Sequence, residues 1–269
     1  MRQNGLTIKK KIAKVLDIFN LSDIVLSLLN ITLNNNYVRI INYHNILKKN
    51  VANFENHVKW YKKHFEDCDY IKLVNFLQKK YCFKNKPGIM ITFDDGFAGN
   101  YYNAYPILQK HGFTGYYFVS TGLVGQNGYM DSRQLKEMIS NRQMVGCHTY
   151  THHRMNVSDD TQTLSKEILQ AKLDLEVMLD NEIDFFCWVG GEENTYTRAA
   201  AILVRNCGYK YAVMTNSEPL RYDSDPLQMQ RTNINDDWDL SLVKFQLSGI
   251  IDLKYKNKRG RIKKLIGGD

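Results

Sequence analysis

The chain has 269 residues, 43% of them hydrophobic, enough to bury one large α/β core without calling for a second domain. Its 36 Lys and Arg against 28 Asp and Glu leave a net charge of +8, but no basic groove interleaved with aromatics and no nucleic-acid module accompanies that excess, so nucleic acid is excluded as a partner. Five scattered cysteines, odd in number and without CxxC spacing, exclude a disulfide framework and read as reduced thiols.

From the N-terminus, residues 15–33 are apolar but broken by Asp17, Asn20, Asp23 and Asn30, with no small-residue cleavage site after them. Neither a signal peptide nor a membrane span is expected, and the chain is expected in the cytoplasm. Lys9, Lys10, Lys11 and Lys14 beside Ile12, Val15, Leu16 and Phe19 could lay this first helix on an anionic leaflet as a peripheral contact. The alternative is a solvated helix packed on the open bottom of the fold. Residues 38–43 then read as a strand ending in Tyr43-His44, and 53–66 as a helix.

Gly88 to Phe93 is an apolar, β-branched run that reads as a buried parallel strand, with Asp94 and Asp95 at its carboxyl end and a helical pattern over 101–111 after Gly96. Strands are expected at 115–119 and 144–148, the second leading straight into His148-Thr149-Tyr150-Thr151-His152, with a helix over 160–180. Strands at 185–189, 210–214 and 228–234 and a helix over 196–206 follow, and seven such units fit an incomplete barrel. Asp236, Asp237 and Asp239 read as caps for a helix starting near Leu240. Four prolines and no Ser/Gly tract speak against a hinged two-domain layout.

In α/β folds active sites are built at the carboxyl ends of the strands. Taken alone, Asp94-Asp95-Gly96 reads as a capped turn and two histidines four apart as solvated surface. Together, each at a strand end, they supply three N/O ligands and one spare acid, the kit for metal-assisted hydrolysis. Catalytic zinc takes three such ligands and leaves a position for water, whose pKa falls to roughly 7. One aspartate can bind the ion while its neighbour takes the proton.

Thr92-Phe93-Asp94-Asp95-Gly96 and His148-Thr149-Tyr150-Thr151-His152 resemble the first and second motifs of the polysaccharide deacetylase family of carbohydrate esterases. The similarity runs in order through Val38 to Ile46, Phe97 to Gly125 and Ser132 to Leu135, covering about residues 37 to 250. It implies a distorted, incomplete (β/α) barrel of seven strands and removal of N-acetyl or O-acetyl groups from sugars with Zn²⁺, or another divalent cation such as Ni²⁺, Co²⁺ or Fe²⁺. It also implies that Asp94 is the base and that Asp95, His148 and His152 hold the metal.

The third motif departs from the family pattern, since Trp188-Val189-Gly190-Gly191 replaces Pro-aromatic-Gly. Gly190 can still aim a backbone N–H at an oxyanion, unless this is an ordinary glycine turn. No histidine follows His153, so the C-terminal acid used by many members is missing; the Tyr43-His44 strand end resembles the circularly permuted poly-N-acetylglucosamine deacetylase branch, which makes His44 the candidate general acid, against a purely structural role. Arg231, ending a strand at the same face, is expected to orient Asp94 by a bidentate contact. Trp188, Trp238 and Tyr129 could stack on sugar rings or belong to the core.

The expected layout is an N-terminal amphipathic helical extension over 1–36, a deacetylase-like catalytic domain over 37–253 and a basic tail over 254–269. The expected activity is metal-dependent N-deacetylation of an amino sugar, lipid- or nucleotide-linked, in cell-surface polysaccharide or lipopolysaccharide biosynthesis. An O-acetyl esterase and a catalytically inert glycan-binding relative are the alternatives.

Overall fold

A computed structural model describes residues 2–266. Eight strands form one all-parallel sheet: β1 (Val38–Tyr43), β2 (Glu66–Asp67), β3 (Gly88–Phe93), β4 (Gly115–Val119), β5 (Met144–Cys147), β6 (Phe185–Cys187), β7 (Tyr211–Met214) and β8 (Met229–Asn233). Seven of them, β1 and β3 to β8, close into a ring, because β1 pairs with β3 on one side (Val38 opposite Gly88) and with β8 on the other (Ile40 opposite Arg231). The expected seven-stranded barrel, one unit short of eight, is therefore present, and its ring is closed. The two-residue β2 was not legible as a strand; it is appended to the start of β3.

Side chains alternate across each strand, and the two hydrophobic clusters follow that alternation. Val38, Ile40, Met90, Phe118, Cys187, Val213 and Met229 fill the barrel interior, while Ile41, Ile91, Val119, Phe186 and Met214 face the surrounding helices. Gly146 on β5 is required by this filling, since a Cβ there would stand 2.6 Å from the Phe118 ring. Leu73, Phe76 and Phe83, from the helix Tyr70–Leu77 and the loop after it, join the interior cluster and plug the end where the strands begin.

That plug corrects one expectation: the bottom of the barrel is not open for the N-terminal segment. The helices Arg2–Ile18 and Leu21–Thr32 pack instead on the flank, against the helix Leu240–Leu247, where Lys244 bonds to Asp17 (2.9 Å) and Asp23 (3.1 Å). The basic stretch from residue 254 is likewise no free tail. It belongs to the helix Ile250–Ile266, in which Ile262 is buried and the guanidinium of Arg259 donates to the carbonyls of Asn216, Ser217 and Asp252; residues 267–269 of the expected tail lie outside the described residues. Asp252 anchors this helix to the barrel through two oxygens facing the fully buried Arg39 on β1, at 2.9 and 3.0 Å.

Candidate metal and acid-base site

The interior positions continue up each strand to the carboxyl-end rim. Asn42, Thr92, Asp94 and Arg231 share the alternation of Ile40, Met90 and Met229 and so stand above the apolar filling. Arg231 is fully buried over the face of Phe118 and donates to both carboxylate oxygens of Asp94, at 2.7 and 2.9 Å, the fork geometry that favours arginine over lysine. Thr92 Oγ1 accepts from the same guanidinium at 2.9 Å, and Asn42 Oδ1 accepts at 3.3 Å. Asp94 is 3% exposed. Burial raises its pKa, but the charge of Arg231 and then that of His148 more than offset this, holding the carboxyl below the ordinary range.

Asp95 leaves the strand in the left-handed region (φ 72°), and so do Thr149 (φ 65°) and His152 (φ 63°) on the facing loop. Such conformations are uncommon away from glycine and gather where surrounding structure enforces them at functional sites. Here the enforcing residue is the buried Glu167, whose carboxylate accepts from Tyr150 N and Thr151 N, both at 2.9 Å, and from Thr151 Oγ1 at 2.8 Å. The turn before it cannot be relaxed by substitution: Gly96 (φ 77°) lies against Val119, whose Cβ would be 3.1 Å from an added methyl.

The result is three ligand-type atoms aimed at one point. Oδ1 of Asp95 lies 2.9 Å from His152 Nε2 and 3.4 Å from His148 Nε2. Oδ1 is nevertheless buried and close to both rings without a well-aligned hydrogen bond from either, an acceptor that a cation would satisfy. His148 donates its other ring nitrogen to the Cys187 carbonyl (2.8 Å), which fixes the tautomer that leaves Nε2 with a lone pair. The donor set of one carboxylate and two imidazoles suits Zn²⁺ and its neighbours in the transition series. A second group, Asp94 with His148 and Cys187, is equally close together, but both oxygens of Asp94 are taken by Arg231, and burial pushes the Cys187 thiol well above its usual value, so it stays protonated. The first group is the better metal site.

Other expected residues separate cleanly. Tyr43 pairs with Phe93 across β1 and β3, and its carbonyl accepts from Asp94 N at 2.9 Å, so His44 emerges at the same rim beside Asp94 and is exposed to solvent. Its loop is pinned to the segment after the aspartates, where Asn100 Oδ1 accepts from Ile46 N and Asn103 donates to Ile46 O. Gly190 (φ 80°) follows β6, its carbonyl held by Thr215 Oγ1 and its Cα covered by the guanidinium of Arg154, and its N–H makes no backbone hydrogen bond.

Two stacking candidates are corrected. Trp188 is 1% exposed, edge-on to Phe186 and tilted on Tyr196, and Trp238 is 7% exposed in the same helical-layer core with only part of its surface on the cavity beside Arg231, so neither offers an open face for a sugar to stack on. Tyr129 is partly exposed and stacks on Phe97, two residues past Asp95, with ring centres 5.3 Å apart. Two of the three aspartates after β8 also differ from expectation. Asp239 stands at the N-cap of Leu240–Leu247 but its side chain makes no cap bond and faces Lys14 instead (3.3 Å), while Asp236 accepts from Leu47 N and Asn50 on the loop after His44, both at 2.9 Å.

Four contributors had no readable signal. Glu167 sits in an ordinary helical pattern, Cys187 looks like a core thiol yet touches both Asp94 (3.4 Å) and Arg231 (3.1 Å), and Asn42 and Arg154 reach the site only through the barrel's closure and the loop after His152.

A closed seven-stranded parallel barrel with a carboxylate-imidazole cluster at its carboxyl-end rim is the architecture of a carbohydrate deacetylase, and comparison with known proteins agrees. Residues 83–212 match the polysaccharide deacetylase family model. A poly-beta-1,6-N-acetyl-D-glucosamine N-deacetylase of Staphylococcus aureus is 25% identical over 241 residues, covering 76% of this chain and 81% of the relative. The fold is that of the Streptococcus pyogenes deacetylase PplD (TM-score 0.68, 20% identity, 78% of this chain and 98% of that one). It is also that of IcaB from Ammonifex degensii (TM-score 0.66, 17% identity, 81% and 97%).

Proposed function

We propose that this protein is a metal-dependent hydrolase that removes N-acetyl groups from an amino sugar of the poly-N-acetylglucosamine type, in the biosynthesis of a cell-surface polysaccharide or lipopolysaccharide and on the cytoplasmic side. The observation that carries the reading is the buried Asp95 Oδ1, set between two imidazole nitrogens and next to an arginine-braced second carboxylate. A divalent ion held by Asp95, His148 and His152 would polarise the acetyl carbonyl and acidify the attacking water.

The remaining steps belong to the chain. Asp94, kept ionised and oriented by Arg231, accepts the proton of the attacking water. Because the arginine also lowers the basicity of Asp94, its service as a base depends on that water being acidified. The N–H of Gly190 is offered to the developing oxyanion. His44, solvent-exposed on the rim beside Asp94, delivers a proton to the amine nitrogen as the C–N bond breaks. Tyr129 on Phe97 offers an aromatic edge for a sugar ring.

Acetate release tests the proposal on N-acetylated and O-acetylated sugars, free, nucleotide-linked and lipid-linked, before and after chelation and with Zn²⁺, Co²⁺ or Ni²⁺ restored. Metal-dependent release from an N-acetylated oligosaccharide is the expected result. Release confined to O-acetyl esters would make the protein an esterase, and glycan binding without any release would make it an inert relative.

A further inference from the structure

The two N-terminal helices carry a surface that packing of the barrel does not explain. Of the twenty large apolar side chains that are exposed among the described residues, nine fall between Ile8 and Ile31. They are not scattered. Ile8, Ile12 and Val15, continued by Phe19 just past its end, recur at helical spacing on the side of the first helix opposite the fully buried Ala13. Leu21, Ile24, Leu28 and Ile31 do the same on the second, opposite the buried Leu26. Each helix thus has two apolar faces, one spent on the flank of the barrel and one left in water. An unpaired apolar surface of this extent on a soluble chain marks a contact.

Charge decides what the contact is. The acidic residues of the segment, Asp17 and Asp23, are both turned inward onto Lys244, so they do not contribute to the outer face. Lys11 is exposed on the flank of the first stripe, Lys10 is half-buried, and exposed Lys254 and Lys256 lie on the helix Ile250–Ile266, where Arg261 is already paired with Glu193. Lys9 lines a cavity of about 280 Å³ together with Lys254's neighbours Ile251 and Tyr255 and with Arg231 from beneath the metal site. A second copy of this chain would bring the same lysines against themselves; an anionic lipid surface would neutralise them. No described helix is long and apolar enough to cross a membrane.

We infer that residues 6–32 form a monotopic docking face that lies in the interface of an anionic membrane, with the two apolar stripes inserted and the lysines on the headgroups. The Lys14–Asp239 pair ties the first helix to the loop leaving β8 on the rim side of the barrel, so the docked flank adjoins the catalytic mouth. This inference does not depend on the deacetylase reading.

Vesicle flotation of the full-length protein tests it. Vesicles of equal parts phosphatidylcholine and phosphatidylglycerol should carry the wild type, and pure phosphatidylcholine should carry much less. The double variant Val15→Glu/Leu28→Glu, changed only at exposed positions, should bind about tenfold or more weakly, because carboxylates cannot enter the apolar boundary. Its melting temperature and its acetate release from a soluble substrate should match the wild type, which separates a docking defect from a folding or catalytic one. Two results would overturn the inference: no binding of the wild type to the anionic vesicles, or equal binding of the double variant. Light scattering that shows a wild-type dimer dissolved by the same substitutions, with no vesicle binding, would assign the face to self-association instead.

Discussion

Asp94 and Asp95 are chemically identical neighbours made different by one peptide unit. The first continues the strand alternation into the barrel and meets Arg231; the second turns out at φ 72° and meets two imidazoles. Asp94→Asn keeps the shape but cannot accept a proton, so deacetylation should fall by about 10²-fold to 10⁴-fold, the range of a lost general base, with metal content by elemental analysis unchanged. Asp95→Asn should lose the metal itself. Equal metal loss in both would mean that the roles are exchanged. His44→Ala should keep the metal and the fold and lose about 10²-fold in turnover on an amide. An ester with a good leaving group needs less acid assistance and should lose less. A uniform or negligible loss on both substrates would return His44 to a structural part.

At the scale of elements, most strands and helices were readable because their apolar periodicities agree with their tertiary environments: 88–93 and 115–119 are nearly continuous apolar runs in sequence and, like 38–43 with its Arg39 and Asn42, are strands buried on both faces in the barrel. β2 was not, since Glu66-Asp67 has no apolar signal and becomes a strand only by pairing with Gly88 and Ile89 at the start of β3, ahead of the point where β4 joins it. Nor could the sequence say that the basic C-terminal stretch docks. That depends on Asp252, which faces Arg39 across 213 residues of chain. Removing the carboxylate would leave the fully buried guanidinium uncompensated, so Asp252→Ala should cost about 3–5 kcal/mol in urea unfolding with an unchanged denaturant slope. A cost below about 1 kcal/mol would mean that water reaches Arg39 once the partner is gone.

For the whole molecule, stability should carry a signature of Asp67, held beside Thr114 at the plugged end of the barrel. Burial, only partly opposed by the bonds from Thr114 N (2.8 Å) and Oγ1 (3.1 Å), pushes its carboxyl up to about 6, against about 3.9 in an unfolded chain. Between these values the folded state holds a proton that the unfolded state has released, so this contribution is complete below about pH 4 and is lost as pH rises through 6. Asp94, whose pKa is lowered, contributes in the opposite sense at lower pH, so the test is the difference between wild type and Asp67→Asn: the wild type should lose stability relative to the variant from pH 4 to 6.5, and parallel curves would refute the assignment. The chain's own order of residues determined the class of this protein, because a pair of Asp and His motifs at strand ends and the apolar periodicity around them are local patterns. Only the tertiary structure decided which aspartate Arg231 braces, that Trp188 and Trp238 are core, that Glu167 pins the histidine loop and that the N-terminal stripes stay exposed. Each of these is a contact between segments far apart in sequence, where closure of the ring, not local propensity, selects the partner.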